Sequence, residues 1–192
     1  MIYLASASPR RKTLLEKDGY NIKIVKSSYD ELNTPGVLPH NLVMEQALGK
    51  AKGTDEKYRE DGIVIGADTI VVLDNEILGK PKTEKEASEM LHKLSGRTHE
   101  VVTGVALLKD DLEDVFFIST KINFYEVNDA MIEKYIETGS PMDKAGAYGL
   151  QDLGETWLES VNGSISNVIG LPMEAVNIRL ATMGVYPEKE NI

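Results

Sequence analysis

Apolar residues change their spacing several times along this chain, and each change marks an element. Residues 2–5 are a short apolar run, read as a strand. Ser8-Pro9 then places a capping serine and an N1 proline before Leu14-Leu15, the start of a helix that Gly19 should stop. Tyr20, Ile22 and Ile24 alternate with polar residues as a half-buried strand does, and a polar loop follows with Asp30, Glu31, Pro35 and Gly36. Leu42, Val43, Ala47 and Ala51 recur at helical spacing and predict one amphipathic helix over residues 39–59. The β-branched runs 63–65 and 70–73 predict a buried strand interrupted by polar chemistry, Gly66-Ala67-Asp68-Thr69, with Asp74-Asn75 as a hairpin turn before residues 76–78.

Further on, Thr83 and Glu86 form a capping box, and Ala87, Met90, Leu91 and Leu94 follow at helical intervals up to Gly96. Residues 101–108 and 115–125 are strand-like and are joined by an acidic turn over 110–114, which predicts a long hairpin. Asn128 caps a helix carrying Ile132, Tyr135 and Ile136, closed by Gly139. Residues 143–154 are glycine-rich and polar, 157–161 read as a strand, Asn162-Gly163 as a turn, and 172–183 as a final helix. No repeat or linker interrupts the pattern. The expectation is a single domain over residues 1–192 of α/β class, mixed α+β, with a core of ordinary size.

Composition narrows what such a domain can do. The absence of cysteine excludes disulfides, thiolate metal sites and a cysteine nucleophile, so any metal must sit on oxygen or imidazole. A net charge of −10 argues against nucleic-acid binding, which needs a basic face, and a polyphosphate ligand would require locally clustered cations or a bridging metal. No stretch reaches transmembrane length, and the first apolar run is too short and wrongly flanked for a signal peptide. A cytoplasmic protein without a membrane partner is expected.

Four places have candidate chemistry. Ser8, Arg10 and Arg11 open a helix whose unpaired amides attract anions; the arginines sit badly with the dipole there, so they are either phosphate ligands or a solvated surface pair. Asp68 lies between two apolar runs and needs a metal, a cation or water, although an Asp that caps a turn or bulge has the same local sequence. Leu78-Gly79-Lys80-Pro81 combines an approachable backbone with a point charge. Glu31 is a candidate oxygen ligand for a hard cation or a surface carboxylate. Lys50 and Lys52 follow the pattern of snorkelling lysines, Gln151 reads either a base edge or its own loop, and His40, His92 and His99 lack zinc spacing. Neither a Walker A sequence nor a G-x-G-x-x-G fingerprint occurs, which disfavours P-loop ATPases and Rossmann dehydrogenases.

In order along the chain, 4–11 with Leu14-Leu15, Lys50-Ala51, 66–69, 78–81, 95–105, 143–149 and 167–172 resemble the Maf family of nucleoside triphosphate pyrophosphatases. The resemblance implies a long twisted mixed sheet with two lobes around a cleft, related in shape to the inosine triphosphate pyrophosphatases. It also implies a divalent cation, Mg2+ or Mn2+ with Co2+ as a third candidate, a nucleoside triphosphate substrate and often a homodimer. By the same carry-over Asp68 is the proton acceptor, Glu31 joins it near the metal, and Ser8, Arg11, Lys50 and Lys80 bind the polyphosphate. Arg10, Thr69 and Gln151 match the dTTP/UTP branch, whereas the sister branch, which acts on methylated GTP, has an aromatic, a glutamine and a glutamate there. A non-catalytic nucleotide-binding regulator of septum formation is the reading from another class. Two departures, Asp152 in place of the family's glycine and Ser164-Ile165 in place of Ser-Tyr, bear on base selectivity more than on the reaction.

Overall fold

The structure is a computed structural model that describes residues 1–31 and 36–188; Pro35 of the polar loop lies outside them. Among the described residues seven strands form one sheet, six of them in the order β2 (Ile22–Ile24), β1 (Ile2–Leu4), β3 (Ile63–Leu73), β5 (Thr98–Lys109), β6 (Leu112–Phe124) and β7 (Leu158–Asn162). The short β4 (Glu76–Leu78) pairs antiparallel with β3, Leu73 opposite Glu76. Strand β1 runs parallel to both β2 and β3, with Ile2 facing Ile22 and Ile63. The helices are α1 (Pro9–Lys17), α2 (Pro39–Lys52), α3 (Lys57–Asp61), α4 (Glu84–Leu94), α5 (Asp129–Glu137), α6 (Ile165–Ile169) and α7 (Met173–Thr182). No helix among the described residues is long and apolar enough to cross a membrane.

Three local expectations change. The helix expected over 39–59 ends at Lys52, because the Gly53 carbonyl is taken by the Ser28 amide at 2.8 Å and its hydroxyl at 3.0 Å; α3 starts afresh at Lys57. The polar segment 66–69 does not interrupt a strand: β3 is continuous for 11 residues, and Asp68 is a strand residue. The acidic turn shrinks to Asp110-Asp111, with Asp110 at φ 50°, so that β6 begins at Leu112. Aspartate tolerates this left-handed conformation better than most residues. Of the capping signals, Thr83 accepts from the Glu86 amide and Asn128 accepts from the Met131 amide as expected, whereas Ser8 stands at its N-cap without a side-chain capping bond; Asp74 and Asn75 both take positive φ.

The chain forms two compact units. The first comprises Met1–Asp68, Thr103–Ile118 and the chain from Gly170; the second comprises Thr69–Val102 and Ser119–Ile169. Strands β3, β5 and β6 each contribute residues to both. In the first unit the sheet is buried on both faces. Ile2, Leu4, Ile63, Ile65, Val105 and Leu107 pack with Leu15 and the α7 residues Val176 and Leu180, while Tyr3, Val64, Ala106 and Leu108 pack with Ala47 and Ala51 of α2. Two covered faces explain why these strands read as unbroken apolar runs. Strand side chains alternate between faces, so Gly66 shares the α2 face with Val64. A Cβ at Gly66 would lie 2.1 Å from the Ala47 carbonyl oxygen and one at Gly104 would lie 2.3 Å from that of Val43. The backbone of α2 therefore rests directly on the strands.

The second unit packs α4 and α5 over an aromatic cluster in which the Phe124 ring lies edge-on to His99, Tyr148 and Trp157. His99 Nε2 is 2.7 Å from the Tyr148 hydroxyl, and burial pushes the imidazole pKa from 6.5 down to about 4.

Two predictions follow from this packing. Gly66→Ala should destabilise the protein by about 3 kcal/mol or more, since backbone and not a flexible side chain must give way; a variant with the wild-type urea midpoint would contradict the close approach. His99 stays neutral in the fold while the unfolded chain protonates near pH 6.5, so stability is unaffected above that pH and falls as the pH drops toward 4. The loss attributable to this residue should reach about 3 kcal/mol near pH 4. His99→Gln should flatten that part of the urea-unfolding profile, and parallel pH profiles for variant and wild type would place the proton elsewhere.

Candidate active site

In the first unit, β1 leads through Ser6 and Ser8 into α1. Ser8 occupies the N-cap position, but its hydroxyl makes no capping bond, and no acidic residue stands in the first turn to satisfy the amides there. Arg11 is not a solvated arginine. Its side chain turns inward, Nε donating to the Gly170 carbonyl at 2.7 Å and Nη1 to Ser6 Oγ at 3.0 Å. Burial pulls its pKa below the ordinary arginine value; the charge of Asp68 opposes that shift, Arg10 adds to it and Glu31 opposes it. A guanidinium remains protonated in such a place, so this helix start holds a buried positive charge within the field of two carboxylates.

Those carboxylates meet on the last turn of α2. Lys50 Nζ lies 2.7 Å from Asp68 Oδ1 and 2.7 Å from Glu31 Oε1. The Lys50 and Asp68 side chains are only 15% and 16% exposed, so their pairing is partly shielded from water, whereas Glu31 is 61% exposed. The helical pattern treats Lys50 and Lys52 alike, and the structure separates them: Lys52 pairs with Glu113 at 2.8 Å on the outside. Among the described residues, no three His, Asp or Glu side chains are grouped to hold a metal ion.

In the second unit, Thr69 is half-buried on β3, and Lys80 is exposed on the loop after β4, with no ion-pair partner among the described residues. Gln151 is exposed on the last of three short 3-10 turns, Ser140–Asp143, Ala145–Ala147 and Leu150–Asp152. None of the three histidines accompanies the acidic pair. His40 stacks on Phe117, His92 bonds to Asp129, and His99 lies in the aromatic cluster. Sequence reasoning assigned no role to Ser6 and Gly170, the partners of Arg11, although both lie in motifs that drew attention. A hydroxyl and a carbonyl have no signature until the fold supplies their partner.

The chain matches the family described as Maf-like protein over residues 1–183 and belongs to the Maf family. It is 44% identical over 191 residues to a protein of Clostridium botulinum strain Okra named dTTP/UTP pyrophosphatase, an alignment covering 96% of this chain and 97% of the relative. A protein of Desulfitobacterium hafniense with the same name is 46% identical over 192 residues, covering 96% of this chain and 86% of that one. One in Clostridioides difficile strain 630, again so named, is 44% identical, with coverages of 90% and 89%. The solved structure of the Staphylococcus aureus Ham1 protein superposes with a TM-score of 0.50 at 16% identity, covering 95% of this chain and 97% of that one. At that identity the likeness concerns the fold.

Because Lys50 is the cation that both carboxylates share, Lys50→Met should leave Asp68 shielded and unpaired. The variant should be less stable by about 1–3 kcal/mol in urea unfolding at neutral pH. Unchanged stability would mean that Asp68 is solvated without its lysine.

Proposed function

We propose that the protein hydrolyses nucleoside triphosphates, dTTP and UTP foremost, to the monophosphate and pyrophosphate. The observation that carries the reading is the convergence of Asp68 and Glu31 on one ammonium group next to a buried arginine at a helix start, in a chain whose Maf-family relatives are named dTTP/UTP pyrophosphatases. Phosphoryl-type hydrolysis asks mainly for positioning and for neutralisation of phosphate oxygens.

The two carboxylates also suit a divalent cation. Their oxygens reach a common point, 2.7 Å each from Lys50 Nζ, and hard oxygen donors are what Mg2+ and Mn2+ accept, with phosphates and water completing the shell. Such a cation would be held by Glu31 and Asp68 and would supply charge neutralisation and a more acidic water. Asp68 accepts a proton from the water whose oxygen attacks the α-phosphorus, and the bond from that phosphorus to the bridging oxygen breaks. Pyrophosphate takes the electron pair and departs. Arg11, Lys50, Ser8 and the α1 amides offset the charge on its oxygens. Lys80, Thr69 and Gln151 belong to the second unit, and their roles in polyphosphate and base binding, with that of Arg10, rest on the family motifs.

Asp68→Asn keeps the shape of the side chain while removing the base, and should lower turnover by ~10² or more with nucleotide binding largely retained. Pyrophosphate release from dTTP, UTP, dATP and GTP, measured with and without Mg2+ or Mn2+, tests this. Near-wild-type turnover by the variant would sink the assignment of Asp68, and a wild type that binds nucleotides without releasing pyrophosphate would be a regulator.

A further inference from the structure

Apart from the acidic pair, a second polar cluster surrounds the turn that carries Gln151. Lys144 is 9% exposed, and its Nζ donates to the Ser140 carbonyl at 2.6 Å, to Ser140 Oγ at 3.1 Å and to Asp143 Oδ1 at 2.7 Å, with Asp152 Oδ2 at 3.3 Å. Ser140 Oγ donates to the same Asp152 oxygen at 2.6 Å. The Asp152 amide closes the turn onto the Gly149 carbonyl at 2.9 Å, and the Gly149 amide donates to the Tyr135 hydroxyl at 3.1 Å. Gly149 also leaves room for the lysine stem: a Cβ there would lie 2.7 Å from Lys144 Cε and 2.8 Å from Asp152 Oδ2.

Gln151 is thus bracketed. The residue two before it is tied to α5, and the residue after it is tied to a buried ammonium and to Ser140. Gln151 itself is exposed. A loop on the surface ordinarily samples many conformations, and holding one of them requires bonds on both sides of the residue to be presented. We propose that Asp152 is a positioning residue for nucleobase selection: through Lys144 and Ser140 its carboxylate holds the turn in the conformation that offers the Gln151 amide to the base. This inference rests on the pyrimidine-nucleotide reading above. An amide rejects a wrong base only if it cannot swing away from the mismatch, because the penalty comes from donors and acceptors left unpaired. A loosened turn removes that penalty while leaving the phosphate chemistry intact.

The experiment is a cycle of Asp152→Ala, Gln151→Ala and the double variant, with kcat/KM for UTP and GTP read from pyrophosphate release in the full-length protein. Asp152→Ala should lower the UTP-to-GTP ratio roughly tenfold, chiefly through KM for UTP. In the Gln151→Ala background it should change the ratio no further, since a residue acting only through Gln151 has nothing left to position. Ser140→Ala, which removes one holder of Asp152, should move the ratio in the same direction by less, and serves if Asp152→Ala folds poorly. An unchanged ratio in Asp152→Ala, or an equal drop with and without Gln151, overturns the proposal. Amide hydrogen exchange over residues 150–152 should quicken in Asp152→Ala. If the wild type released pyrophosphate from no nucleotide the functional reading would fall, and unaltered exchange would separately show that Asp152 does not hold the turn.

Discussion

The contact between the backbone of α2 and the strands beneath it sets much of what the first unit can do. Gly66 and Gly104 let the carbonyls of Ala47 and Val43 approach closer than any Cβ would allow. Gly66 and Asp68 are two residues apart on one strand and therefore share a face; Ala47 and Ala51 touch that face one helical turn apart, with Lys50 immediately before the second. The depth at which the helix seats thus determines the reach of Lys50 to Asp68. A side chain in place of either glycine would lift the helix before it touched any charged group. Packing and electrostatics are here the same constraint, met at adjacent positions.

The charges follow from that seating. A chain of net charge −10 repels polyphosphate at long range, yet the α1 start combines a buried guanidinium with a first turn that carries no acidic residue. Arg11 is fixed at its Nε by the Gly170 carbonyl, which immediately precedes Leu171 in the core of the same unit. The cation is therefore anchored to the hydrophobic interior, and its orientation does not depend on a ligand. Lys50 differs, since the groups that hold it are the carboxylates of Asp68 and Glu31, each 2.7 Å from its Nζ.

Much of this was legible beforehand, and the reasons differ by element. Capping residues spoke clearly: Thr83, Asn128 and the Asp74-Asn75 turn act through local hydrogen bonds or local φ, which sequence neighbours specify. The end of α2 was not legible, because Gly53 is stopped by Ser28, 25 residues earlier. The continuity of β3 was hidden by reading residues 66–69 as a polar interruption, when Gly66 marks a close approach and Asp68 stays within the strand. Asp68 stood out as a carboxylate between apolar runs, but its partner Lys50 looked like any surface lysine; spacing along a helix says which face a residue takes, and only the neighbouring strand says what waits there. The tie between Lys144 and Asp152 was not legible for the same reason, the two being four and twelve residues from the serine they share.

One feature of the sheet bears on how the protein behaves in a crowded solution. The strands at the two ends of the order are short and interrupted by charge: β2 is three residues with Lys23 at its centre, and β7 is five residues with Glu159 exposed on it. A long, flat, uncharged margin would invite another chain to add a strand, the first step toward fibrous aggregates. Strands this brief offer too few backbone groups to hold a foreign strand, and Lys23 at the centre of β2 and Glu159 near the start of β7 add a desolvation cost to any that tries.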